Sequence, residues 1–368
     1  MRIEEFKLER WQSTYENTVR YNLAESGVHP FTVKELVGGD LENLASTRLG
    51  YGHTNGTPEL RELISRIYKE QTRRNILVTN GSSEANFVSI WHLVETGDKI
   101  AVMLPNYMQI WGLARVLGAG VKTFKLQEKK GWALDVEKLK NIIDRRTRLI
   151  VICNPNNPTG TVLSTSDMKT IRDLAHERRA WILSDEVYQG AEIDGTATPS
   201  FLDIYDRTLV TNGLSKAYGL PGLRIGWIAG PESLISGLWS KRDYTSIAPS
   251  VVSDMLACVA LKKRDQILDR TRRLLRTNLP IVKEWADRSD FFSFVNPKAG
   301  AITFMRYDSK TKSIELADKL REKKSVLVAP GKHFGVEGYL RIGYGAEPDY
   351  LKAGLSLIDE YVQESHAG

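Results

Sequence analysis

Five short apolar runs, each closed by a cluster of small polar or charged residues and each separated from the next by helical periodicity, constrain this chain most. They lie at residues 76–79, 99–104, 149–152, 181–183 and 208–211. A strand that is apolar at every position must be covered on both faces. Alternation of such strands with helices therefore predicts a mostly parallel sheet wrapped by helices. Leu60, Leu63, Ile64, Ile67 and Tyr68 recur at helical spacing after Thr57-Pro58 and predict a helix there. Further helices are predicted at 83–94, 108–117, 136–143 and 166–178, with strands at 121–126 and 225–229. The first fifty residues read as irregular.

Beyond about residue 235 the pattern changes. A charged helical stretch runs from 249 to 288, followed by strands at 291–295, 301–307, 326–329 and 339–342 and helices at 314–322 and 349–363. The expected architecture is α/β: a large domain built on the mostly parallel sheet, with a smaller α+β domain. The expected boundaries are 1–48 for an N-terminal segment belonging to the small domain, 49–270 for the large domain and 271–368 for the rest of the small domain.

Composition narrows the chemistry. Fifty-one Lys and Arg against 45 Asp and Glu leave a net charge of +6, spread along the chain, so nucleic-acid binding is not expected. Two cysteines, Cys153 and Cys258, make no disulfide framework and point to a reducing compartment. No apolar run reaches the ~20 residues of a membrane span. The charged N-terminus does not resemble a secretory signal, so the expectation is a cytoplasmic enzyme. Six scattered histidines and the lack of HExxH or CxxC patterns give no metal site.

In an open parallel sheet, ligands bind where the strands end. Here the strand ends are followed by Asn80-Gly81-Ser82-Ser83, by Pro105-Asn106-Tyr107 and by NPNNPTG at 154–160. The last two are followed by Ser184-Asp185-Glu186-Val187-Tyr188 and Asn212-Gly213-Leu214-Ser215-Lys216. Gly81-Ser82-Ser83 opens a helix, a place where free N–H groups favour a phosphate; Ser82 as a simple N-cap, with Glu84 in the first turn, is the other reading. Asp185, at the end of an apolar strand, needs a cationic partner, which a protonated ring nitrogen would supply; a cap or salt bridge is the alternative. Lys216, beside Arg224, is a candidate amine nucleophile with a lowered pKa, or else a solvated surface lysine. Gly50, Gly52 and Gly56 do not have dinucleotide-binding spacing and no P-loop is present, which argues against nicotinamide and nucleoside-triphosphate enzymes.

Taken together, NPNNPTG, SDEVYQG, SKAYGLPGLRIGW and YLRIGYG, in that order, resemble the class I/II aminotransferases, pyridoxal-5′-phosphate (PLP) enzymes of fold type I related to aspartate aminotransferase. The resemblance implies a PLP-binding large domain, a small domain made from both chain ends, and a homodimer with shared active sites. It implies that Lys216 forms the Schiff base and moves protons, and that Asp185 pairs with the pyridine nitrogen. Asn157 and Tyr188 would hold the ring oxygen and Tyr107 would stack on the ring. Ser82, Ser83 and Arg224 would hold the phosphate, with Tyr51 reaching the neighbouring subunit's phosphate. Arg341 would grip the substrate α-carboxylate as a two-pronged fork, helped by Asn157 and the backbone around Gly27. Gly213 departs from the family, which often has Ser or Thr there on the phosphate.

The implied reaction moves an amino group between an α-amino acid and a keto acid. The alternative is a PLP-dependent lyase or cyclase, because SGVHP and RDYTSIAPS are similar to segments of capreomycidine-synthase-like enzymes. Trp11, Tyr15 and Tyr21 either recognise the substrate side chain or simply pack. No second arginine suits a dicarboxylate substrate, since Arg10 and Arg20 match no motif. Glu16 and Glu25 would favour a polar or cationic side chain if they face the pocket.

Overall fold

The computed structural model describes residues 3–39, 42–288 and 290–367. Its centre is an eight-stranded sheet. In spatial order the strands are Ile76–Thr79, Gly226–Ala229, Thr208–Gly213, Trp181–Asp185, Thr147–Cys153, Lys99–Leu104, Gly120–Gln127 and Ala133–Leu134. The five from Thr208–Gly213 to Gly120–Gln127 run parallel. Gly226–Ala229 runs antiparallel to both neighbours and Ala133–Leu134 antiparallel at the edge. All-apolar runs are explained by burial on both faces: Leu149, Val151, Leu183 and Leu209 pack into one core, and Ile150, Ile152, Ile182 and Val210 into the other.

The strands and helices predicted within 57–229 are present with ends shifted by a few residues; the first helix, Pro58–Ser65, stops short of Tyr68 and starts from a Thr57 cap. Other parts of the expected pattern need correction. The N-terminal segment is not irregular: it holds the helix Lys7–Tyr15, the strand Tyr21–Asn22 and the helices Val33–Val37 and Glu42–Ala45. Its apolar positions are few and its polar residues many, so the helix is held mainly by Leu8 and Trp11 against the small-domain core. A helix at Glu232–Arg242 also escaped the sequence reading. The charged stretch at 249–288 is two helices, Val251–Lys262 and Arg264–Ala286, broken at Lys263.

The C-terminal part builds a four-stranded antiparallel sheet, ordered Phe292–Ser293, Ile302–Tyr307, Tyr339–Gly343 and Ala329–Pro330. The run predicted as one strand at 326–329 is divided: Val326–Leu327 pairs instead with Tyr21–Asn22. The N-terminal segment is therefore tied to the C-terminal unit by main-chain pairing. Arg264–Ala286 spans both units, with the Thr271 hydroxyl on the Ala217 carbonyl and the Asn278 amide on the Tyr344 and Ala346 carbonyls.

Candidate active site

The carboxyl ends of the parallel strands face the N-terminal segment and Arg341, and the polar groups gather there. Asp185 ends its strand with 6% of its surface exposed. Its carboxylate accepts two long hydrogen bonds, 3.3 Å from the Asn86 amide and 3.3 Å from the Val187 N–H. Burial outweighs these donors and raises its pKa to about 6. The Asn86 carbonyl oxygen in turn accepts the Thr211 hydroxyl at 2.7 Å, which fixes the amide's direction. No cation lies within 4 Å of this carboxylate among the described residues.

Lys216 follows the next strand. Its ammonium lies 3.1 Å from Glu25 Oε1. Burial is the largest single influence and lowers the lysine's pKa, but the charge and hydrogen bond of Glu25, together with Tyr188, outweigh it and the net shift is upward. The expected lowered pKa is therefore wrong for this state of the protein, because Arg224 is not the charge beside the amine and Glu25 is. Tyr188 is buried, its hydroxyl without a well-formed hydrogen bond, and burial raises its pKa.

Arg341, on the strand Tyr339–Gly343, is 1% exposed. It donates to Asn157 Oδ1 at 2.9 Å and to the Ala24 carbonyl at 2.6 Å, and lies 4.9 Å from the centre of the Phe334 ring. Its Nε has no acceptor, and no carboxylate of the described residues pairs with it. A buried guanidinium left in this state is poorly compensated, and a carboxylate ligand would complete it. Gly27 lies next to Lys216, its N–H on Glu25 Oε1.

At the helix Ser82–Leu93 the N-cap is Gly81, at φ 81°, with Ser82 already in the first turn. The capping role expected of Ser82 is thus overturned. A glycine cap has no side chain to satisfy the first-turn N–H groups, which leaves them open to an anion. A Cβ on Gly81 would collide with the Arg224 guanidinium. Arg224 itself donates to the Pro221 carbonyl at 3.0 Å and the Ser215 hydroxyl at 3.4 Å. Gly213 also has a physical reason: a Cβ there would stand 2.9 Å from the Ile225 carbonyl oxygen.

Tyr107 leaves the end of Lys99–Leu104 and donates to Glu9 Oε1 at 2.8 Å. Tyr51 is 91% exposed and joins none of these groups within its own chain. Trp11 donates to the Val328 carbonyl, Tyr15 lies under Arg321 and Tyr21 packs on Tyr350, so these aromatics serve packing. Arg10 and Arg20 are exposed.

Residues missed by the sequence reading are Glu9, Asn86 and Arg242, and Glu84 was read only as a first-turn residue. Arg242 is fully buried, paired with Glu84 Oε2 at 3.4 Å, and bonded to the Thr54 and Ile247 carbonyls. Glu84 Oε2 also accepts the Asn80 N–H at 2.6 Å, bracing the turn that leads into Gly81. Asn86 was readable in principle, as a lone amide on the buried side of an apolar helix.

The residues fit PLP. The Gly81–Ser82–Ser83 turn with Arg224 forms an anion cradle that a side chain at Gly81 would fill, the buried carboxylate of Asp185 lacks a cation, and the buried Tyr188 hydroxyl lacks a partner.

Comparison with known proteins agrees. The chain is 31% identical to capreomycidine synthase of Streptomyces vinaceus over 96% of this chain and 92% of that protein. It is 29% identical to a probable aspartate aminotransferase of Methanocaldococcus jannaschii, over 89% and 90% of the two chains. A PLP-dependent aminotransferase structure from Streptococcus suis superposes with TM-score 0.94 at 33% identity, covering 99% of each chain. The family model "Aminotransferase class I and II" matches residues 22–358. With that match spanning nearly all of the sheet and every strand-end group described, the chain belongs to the class I and II aminotransferases and uses pyridoxal 5′-phosphate as its cofactor.

Proposed function

We propose that this protein is a PLP-dependent aminotransferase that moves an amino group between an α-amino acid and a keto acid. The observation that carries the reading is the placement of Lys216, Asp185 and Arg341. A buried carboxylate without a cation and an amine stand after neighbouring strands of the large sheet, and a buried guanidinium without a carboxylate comes to them from the small sheet. Bound PLP supplies an electron sink for the charge left when the α-proton is removed.

In this reading Asp185 keeps a proton on the ring nitrogen, and its low-polarity surroundings make that pairing favourable. Tyr188 and Asn157 donate to the ring oxygen, and Tyr107 covers the ring face. The first-turn N–H groups of Ser82 and Ser83, with Arg224, bind the phosphate. Lys216 holds the cofactor and carries the proton to and from the substrate α-carbon. Arg341 grips the α-carboxylate with Asn157 and the Gly27 backbone beside it.

We also propose a homodimer in the cytoplasm. Leu49, Tyr51, Tyr244 and Ile247 are exposed large side chains, and a hollow of about 370 Å³ beside them is lined by His53, Pro249, Val251 and Met255. Such a face suits a second copy, and Tyr51 would then reach the partner's phosphate. The division into 1–48 with 271–368, against 49–270, is the domain organisation we propose.

A second reading, a PLP-dependent lyase or cyclase, is favoured by the 31% identity to capreomycidine synthase. The substrate feature proposed in either case is a polar or cationic side chain in preference to a dicarboxylate: Glu16, raised first by burial, also feels Glu25, Glu9 and Lys216, while Arg10 and Arg20 stay exposed. The deciding experiment mixes the PLP enzyme with aspartate, glutamate, arginine, lysine and alanine. Conversion of the cofactor to pyridoxamine phosphate by the amino acid alone, reversed by a keto acid, supports amino transfer. Turnover with no pyridoxamine phosphate and no need for a keto acid would establish the lyase or cyclase reading instead.

A further inference from the structure

Glu25 has been considered above only for the substrate side chain, yet its carboxylate lies 3.1 Å from the Lys216 ammonium. Its Oε1 accepts three hydrogen bonds: the Ser26 N–H at 2.8 Å, the Gly27 N–H at 2.8 Å and the Lys216 ammonium at 3.1 Å. Two of these donors are its own following backbone, so the carboxylate is aimed before the lysine arrives. The loop itself is built tightly. A Cβ on Gly27 would come within 3.1 Å of the Ser215 carbonyl, and one on Gly343 would collide with the Glu25 carbonyl. The Gly343 N–H bonds the Leu23 carbonyl at 2.7 Å, so the small sheet presses this loop against Lys216.

We propose that Glu25 is a positioning residue for Lys216, gripping its nitrogen as the ammonium whenever it is free and so governing how readily the amine captures the cofactor. The inference rests on the role proposed for Lys216. To bond the PLP aldehyde carbon, the nitrogen needs its lone pair, so the ammonium must first give a proton to solvent. The neutral amine then bonds the aldehyde carbon, and its two protons leave with the aldehyde oxygen as water. A carboxylate 3.1 Å away opposes the first of these events. The same contact holds the proton that Lys216 takes from the substrate's α-carbon.

The other charged and titratable groups near the amine do not replace Glu25. Arg341 acts against the ammonium, Tyr188 favours it but less than the charge of Glu25 does, Asp185 feels Lys216 least among its influences, Tyr107 is engaged by Glu9, and Glu16 is acted on by burial, Glu25 and Glu9 more than by Lys216. Glu25 itself is pulled down to about 2, chiefly by Lys216.

Glu25→Gln isolates the charge, because the glutamine carbonyl still accepts from Ser26 and Gly27. PLP uptake by the cofactor-free wild type and Glu25→Gln is followed by absorbance between pH 6.5 and 10, and borohydride reduction with peptide mapping identifies the lysine modified. The expected result is a downward shift of the pH midpoint of uptake by about one unit, hence ~10-fold faster capture near neutrality by the variant. Identical midpoints with PLP fixed on Lys216 in both proteins overturn the role of Glu25 alone. PLP fixed on Lys216 in neither overturns this inference together with the role of the lysine. If Glu25→Gln does not fold, titration of isotopically methylated Lys216 in the cofactor-free wild type decides: a midpoint above that of ordinary lysines supports the grip, and one at or below it overturns it.

Discussion

Arg341 and Asn157, 184 residues apart in sequence, are joined by a 2.9 Å hydrogen bond that spans the gap between the small sheet and the NPNNPTG loop. The guanidinium reaches the site from the small sheet, the amide from the large one. In the proposed reading, a substrate carboxylate bound here would be held from both sheets at once.

Arg341→Lys is expected to keep PLP bound while lowering kcat/KM for the best amino acid by roughly 100-fold or more, about 2.7 kcal/mol. A point-charge ammonium cannot reproduce the two-pronged contact, and Asn157 loses its donor. Steady-state kinetics alongside the cofactor's absorbance check both halves of the expectation.

Glu186 offers a pH-dependence with a definite sign. It is buried, its Oε1 takes the Ser184 and Ser200 hydroxyls and the Phe201 N–H, and its Oε2 has no partner. Burial raises its pKa to about 8 from an ordinary 4.5. Because the folded state binds this proton more tightly, the stability it contributes is fully present below about pH 4.5 and is lost as the pH rises through 8. Glu186→Gln should remove that loss, so that the variant gains stability relative to wild type on going from pH 6 to pH 9, by on the order of 2–3 kcal/mol. Denaturant midpoints of the cofactor-free proteins at the two pH values test it; parallel curves would contradict it.

Gly213→Ser, which restores the side chain common in the family, should not add a phosphate contact. The new Cβ would press on the Ile225 carbonyl oxygen 2.9 Å away, and the expected outcome is a loss of about 1–3 kcal/mol. Thermal unfolding and PLP affinity measured together separate that cost from any gain in cofactor binding.

Tyr51→Phe should weaken PLP retention, by roughly tenfold for one lost hydrogen bond to a charged phosphate, with little change in unfolding temperature of the cofactor-free protein. Its own chain gives the hydroxyl nothing to hold at 91% exposure. Light scattering that shows a fully active monomer would remove the reason for the effect.

The large sheet was legible because apolar continuity and strand-end polarity are local properties. Trp181–Asp185 needed only its own residues to be placed, and Asp185 only its position after them. Lys7–Tyr15 was not legible, because Leu8 and Trp11 are buried in a core built from distant segments, with the Trp11 indole N–H on the Val328 carbonyl 317 residues away. The direction of the Lys216 shift was missed for the same reason: it depends on Glu25, 191 residues earlier, which only the folded chain brings to 3.1 Å. The cap falls at Gly81 and not at Ser82, and Arg224 occupies the space where a side chain at 81 would stand, a contact no local pattern reveals.

The central claim is that Lys216 carries the cofactor. Borohydride reduction of the PLP-loaded protein, followed by digestion and mass spectrometry, tests it most directly. The expected result is the phosphopyridoxyl group on the peptide containing Lys216, and none on a Lys216→Ala variant. Modification of another lysine at equal yield, with Lys216 unmodified, would contradict it.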